Sequence, residues 1–171
     1  MNEPSSWPAN PFWDFSLALY RRPGVAQACL DVQARHGLDV NLILYFAWLG
    51  IARGIHLSDA DIATVLARVA AWHDGVVRSL RAVRSEMKGN PTGAPADLAE
   101  ALRNRIKGAE LDAERIEQLM LFQLDWSNAQ DARPGPHVAR ENIYTYLKNR
   151  GIVRDSATTA AIEAIVGAAE P

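Results

Sequence analysis

A chain of 171 residues with 49% hydrophobic and 22% charged residues has the composition of a globular protein, which excludes wholesale disorder. Its length is enough for one substantial core. A formal net charge of −2 and a pI near 6.1 exclude a whole-molecule pull toward nucleic acid or an anionic membrane, so such a partner would need a local patch. Cys29 is the only cysteine, which excludes an intrachain disulfide and a Cys-rich zinc site and fits a reducing compartment.

The opening MNEPSSWPANPFW has neither a basic nor an apolar region of signal-peptide kind, so the expected location is the cytoplasm. After a loose start over residues 1–9, Asn10 followed by Pro11 reads as an N-cap with proline at the first helical position, and a helix follows through PFWDFSLALY. Trp13, Leu17 and Tyr20 then share one face. A second helix is expected from Pro23, with Val25, Cys29 and Val32 at i, i+4 and i+7, and Gly37 is placed to end it in the left-handed conformation.

Asp39 stands where the next N-cap belongs, with Leu38 before it and Ile43 at N4, the arrangement of a hydrophobic staple. The segment over residues 40–52 is apolar nearly all round, which predicts a buried central helix; at about 13 residues it is too short to span a bilayer. The same capping grammar recurs at Leu57, Ser58 and Ile62, with Asp61 at N3, and at Leu111, Asp112 and Ile116. Asp39, Ser58 and Asp112 are therefore the expected helix caps.

From residue 59 to about 88 the apolar positions step by three or four, predicting one helix about 45 Å long that packs along the central one. Gly75 is the place where it would bend or break. In this reading Val76, Leu80, Val83 and Met87 turn inward, and Arg78, Arg81, Arg84 and Lys88 form an outer stripe. That stripe is the candidate anion or ligand site, because arginine offers a planar fork to phosphate or carboxylate oxygens; a solvated helix face is the plainer reading. A Gly/Pro loop follows at residues 89–96, then a short helix near 97–107, a stronger one near 113–127, and two more near 137–149 and 155–166 with Gly151 between them. The last is small and Ala-rich and is expected to dock weakly, with residues 167–171 frayed.

The whole reads as an all-α, compact single-domain bundle of seven to eight helices over residues 1–171. His36, His56, His73 and His137 show no metal-ligand spacing, and no metal or cofactor is expected. Nucleotide-binding and hydrolase motifs are absent, there is no strong nucleic-acid signal, and Cys29 sits on an apolar face as a small hydrophobe. His73 and Asp74 are adjacent and cannot face each other on a helix. Most aromatics, from Phe12 to Trp126, read as core. Asp14 and Asn41 are the candidate buried polar cluster, Asp14 being either a first-turn charge or a core carboxylate.

The segments FWDFSLALY, PGVAQACL and HGLDVNLILYFAWLG resemble the N-terminal signature of a proteobacterial family catalogued as a domain of unknown function. The resemblance implies a bacterial cytoplasmic setting and an all-helical fold, and brings no reaction or ligand with it. Three functions remain open. The first is a non-enzymatic interaction or regulatory protein with a protein partner or self-association. The second is a binder of a small apolar or anionic ligand in an inter-helical cleft, with aromatics as walls and Arg78, Arg81 or Arg84 as anchor. The third is an enzyme using Asp14, Asp39, Asn41 or His73 in a motif-free site.

Overall fold

A computed structural model describes residues 7–89 and 93–169. Parts of the expected loose start, of the Gly/Pro loop and of the frayed C-terminus (residues 1–6, 90–92 and 170–171) lie outside them. The fold is all-α: α1 (Pro11–Tyr20), α2 (Val25–His36), α3 (Val40–Trp48), α4 (Asp59–Trp72), α5 (Arg78–Glu86), α6 (Ala96–Phe122), α7 (Pro136–Asn149) and α8 (Ser156–Gly167). Among the described residues, no helix is long and apolar enough to cross a membrane.

The capping grammar holds at Asn10, Asp39 and Ser58, while the helix expected from Pro23 begins at Val25, after a left-handed Gly24 with no side-chain cap. Asn10 accepts from the backbone N–H groups of Phe12 and Trp13, Asp39 accepts from that of Asn41, and Ser58 and Asp61 form a reciprocal capping box. Gly37 ends α2 with φ 64°, as a left-handed C′ residue should. Asp112 is the exception. It lies inside α6, a single helix of 27 residues where two were expected, so it caps nothing. Gly108 is the weakest helix former between the two expected halves, and at about 1 kcal/mol its cost is too small to break a helix that packing holds.

The core gathers around α3, whose residues from Asn41 to Trp48 are all buried. Phe12 meets Tyr45 edge-on at 5.0 Å and Phe46 meets Tyr146 at 5.1 Å. The α3 axis continues into a π-turn at Leu49–Arg53, and there Gly50 lets α7 approach so closely that a Cβ would collide with the Ala139 backbone. Two residues of strand, Ile55–His56, pair antiparallel with Gln130–Asp131. Buried Asn142 clamps them by accepting from Leu57 N–H (2.8 Å) and donating to the Ile55 carbonyl (2.9 Å). The last helix does not dock weakly: Ile162, Ile165 and Val166 are fully buried, and His36 bonds Thr158 across α2 and α8 at 2.8 Å.

The long helix expected over residues 59–88 is divided by a second π-turn, His73–Val77. A π-turn carries one residue more than an α-turn, so everything after it is rotated relative to an unbroken helix. Val77 is buried in place of Val76, Val83 is exposed, and Arg81 and Arg84 turn toward α6 instead of outward.

Candidate functional site

Three elements, the cap of α3, the second π-turn and α6, bring polar groups to one point at the start of α3. Asp39 spends one oxygen as a cap, its Oδ1 accepting the Asn41 N–H at 2.9 Å, which leaves Oδ2 directed away from the helix start. His73 opens the second π-turn, and Glu117 lies on the buried face of α6. The imidazole Nδ1 is 3.0 Å from Glu117 Oε1 and 3.1 Å from Asp39 Oδ2. One N–H cannot align with both, and Asp39 Oδ2 is left a buried acceptor without a well-placed donor. The three side chains are 9%, 16% and 0% exposed for Asp39, His73 and Glu117, so solvent compensates little.

A second tier fixes this group. Asn41 Nδ2 donates to Glu117 Oε2 at 2.6 Å, and Asn41 Oδ1 accepts from Gln118 Nε2 at 2.8 Å. Burial alone would pull the His73 imidazole down, yet the two carboxylates of Asp39 and Glu117 beside it outweigh burial and push it up to about 10. Burial, with the Asp39 charge added, raises the Glu117 carboxyl against the opposing His73 and Asn41 bonds.

Next along α6 stands an ion-pair lattice. Arg81 donates to Glu110 Oε1 (3.0 Å) and Glu114 Oε1 (2.6 Å), and Arg84 bonds both Glu110 oxygens. Burial works to raise the Glu110 carboxyl, but the two guanidinium groups win and hold it low. At Glu114 burial prevails and the carboxyl is raised. The predicted cation stripe is thus split. Arg81 and Arg84 face α6 and are matched by carboxylates, Arg78 pairs with Asp74 at 3.2 Å on the exposed side, and Lys88 is exposed beyond the end of α5.

A cleft of about 410 Å³ runs over both groups, between α1, α2, α3, α5 and α6. Trp13, Leu17 and Tyr20, the face expected to be core, form one wall; α1 buries Phe12, Ser16 and Leu19 instead. Asp39 also lines a smaller cavity of about 190 Å³ on its other side, shared with His73, Tyr146 and Arg150. Two residues that line the cleft, Gln118 and Ser16, each carry a buried polar atom, Oε1 and Oγ, without a hydrogen-bond partner.

Of the expected polar cluster, Asn41 is buried and bonded as described, whereas Asp14 is exposed on α1 and does not reach it. Asp39, Asn41 and His73, three of the four residues named for a motif-free site, do converge. Glu110, Glu114, Glu117 and Gln118 were not singled out from sequence. Their signal was present: Glu110, Glu114, Glu117 and Leu121 follow i, i+4, i+7, i+11, so three carboxylates occupy the stripe that Leu121 and Ala113 mark as buried.

The family model described as a protein of unknown function, DUF2390, matches residues 11–121. The chain belongs to this family. The matched segment holds Asp39, Asn41, His73, Arg81, Arg84 and the α6 carboxylates, and so contains every polar group of the site described above apart from Tyr146 and Arg150 of the smaller cavity. No curated protein and no solved structure matches the chain.

Proposed function

We propose that this DUF2390 protein binds a small molecule with an apolar body and a hydrogen-bond-donating head in the cleft between α1, α3 and α6. The observation that carries the reading is the cleft's lining: Trp13, Leu17, Leu30, Leu44 and Leu111 oppose a polar floor, at a volume suited to a small ligand. The head is a donor and not an anion because Arg81 and Arg84 already have carboxylate partners, while the Gln118 side chain lining the cleft has an amide oxygen, an acceptor only, that no donor satisfies. This revises the arginine-anchored anion of the sequence reading.

Two probes of equal apolar body separate the alternatives. Phenethylamine should shift the Trp13 indole and Gln118 side-chain amide resonances, and phenylpropionate should not. Shifts from the carboxylate alone would restore an arginine anchor, and no shift from either would remove the cleft reading. Native mass spectrometry of the protein from its own host then identifies a retained ligand.

A second reading, an interaction surface, is favoured by the α5–α6 hairpin, where Val83, Leu98 and Leu102 are exposed at 49%, 65% and 43%. It requires concentration-dependent association in sedimentation that Leu98→Glu with Leu102→Glu abolishes. The proposed setting is the bacterial cytoplasm, supported by the family resemblance and by the buried free thiol of Cys29.

A further inference from the structure

The donor set at the start of α3 has a geometry that the cleft does not explain. Asp39, His73 and Glu117 each offer one ligand atom within 4.8 Å of the other two, and His73 Nδ1 is 3.1 Å from Asp39 Oδ2 and 3.0 Å from Glu117 Oε1. Donors bound about 2.1 Å from one cation, at angles of about 90–110°, stand roughly 3.0–3.4 Å apart. We propose that Asp39, His73 and Glu117 bind one divalent first-row transition-metal ion.

Four observations converge on this site. Asp39 Oδ2, nine-tenths buried, is an acceptor with no well-aligned donor and points into the group. The other oxygen of each carboxylate is occupied elsewhere, Asp39 Oδ1 by the Asn41 N–H and Glu117 Oε2 by Asn41 Nδ2, so a single residue orients both ligands toward the common point. Such outer bonding is what fixes the ligands of metal centres. Two carboxylates against one imidazole leave a buried excess of negative charge, which a divalent cation cancels. The ligands also come from three separate elements, the α3 cap, the π-turn and α6, so the ion would tie them together.

A mixed nitrogen and oxygen set suits zinc, manganese or iron(II) better than magnesium or calcium, which prefer oxygen alone. The smaller cavity beside His73 gives an entry path and room for water on the remaining positions. The inference is independent of the cleft reading, since the ion would be held whether or not the cleft takes an organic ligand.

The test is calorimetric titration of EDTA-treated full-length protein with Zn²⁺ alone. One equivalent should bind, with affinity reduced at least about 100-fold in His73→Ala and in Glu117→Gln, about 10–100-fold in Asn41→Ala through loss of ligand orientation, and unchanged in His56→Ala, a surface histidine control. Because a variant at a buried site can misfold, the unaltered protein is also titrated with Mn²⁺, which should broaden the Asn41 and Gln118 side-chain amide resonances first. No binding of Zn²⁺, affinity retained in the Glu117→Gln and His73→Ala double variant, loss in His56→Ala, or Mn²⁺ broadening centred elsewhere would each overturn the proposal.

Discussion

In metal-free protein, His73 lies in hydrogen-bond reach of two buried carboxylates with no second cation beside them among the described residues, and removing it should be far more damaging than removing one of them. His73→Ala strands Asp39 and fully buried Glu117 beside each other. Breaking a buried pair costs about 3–5 kcal/mol, and because the imidazole keeps 16% of its surface in water the lower end, about 3 kcal/mol, is expected. Glu117→Gln retains the shape and the Asn41 contact and removes the excess charge, so it should change stability by less than about 1 kcal/mol. The pH dependence separates charge from packing. His73 rises from 6.5 unfolded to about 10 folded, so its contribution is complete below pH 6.5 and is lost as pH climbs toward 10. The unaltered protein should lose stability across that window. His73→Ala should not show that loss; it should instead regain stability on acidification, because the raised Glu117 carboxyl takes up a proton more readily folded than unfolded. Urea unfolding at pH 5.5, 7.5 and 9 in EDTA measures all of this. Equal destabilisation of both variants, or of His73→Ala at every pH, would refute the electrostatic argument and leave a packing effect alone.

Three further outcomes are expected. Asp39→Ala should lower stability by about 1 kcal/mol through loss of the α3 cap, while Asp39→Asn keeps the cap; thermal melts compare them. Gly50→Ala should cost about 3 kcal/mol or more, since the added Cβ meets α7 backbone and not a movable side chain, and chemical denaturation reads it. Burial pushes the Cys29 thiol up to about 12, so it should resist a disulfide reagent at pH 8 until the protein is unfolded.

The elements of the fold that sequence made legible are those fixed by neighbours in the chain. Asn10, Gly37, Asp39 and Ser58 act through bonds to residues one to four positions away, so reading them needed no tertiary knowledge. Asp112 shows the limit of that logic, because the same residue pattern inside α6 is overridden by packing on either side of it. A fixed helical period puts Arg81 and Arg84 on an outer face, whereas one extra residue in the π-turn, invisible to that period, rotates α5 and turns them to α6. Asn41 stands out in the sequence as a polar residue in an apolar run, but not its partners: Glu117 and Gln118 are 76 and 77 residues away, Asp14 does not reach it, and nothing local indicates which distant helix supplies the bonds.

That π-turn raises the question of what holds it open, and Gly75 gives the means to ask. Glycine could act by flexibility, yet it has no left-handed φ here, and a Cβ built on it meets nothing within 4 Å. The alternative is that the turn is held from both sides, by the bonds of His73 to Glu117 before it and of Arg81 to Glu110 and Glu114 after it. An unbroken helix would bring only one of these two sets to α6, because the rotation between them needs the additional residue. If the contacts impose the turn, Gly75→Ala removes backbone entropy from the unfolded chain at no steric cost and should stabilise by about 0.5–1 kcal/mol, with the His73 resonance and Zn²⁺ affinity unchanged. If glycine flexibility imposes it, the same substitution straightens the helix, displaces either His73 or Arg81 from α6, and destabilises. Denaturation curves together with the His73 titration distinguish the two, and a destabilised Gly75→Ala protein would show that the site depends on a local backbone property and not on the ion pairs that flank it.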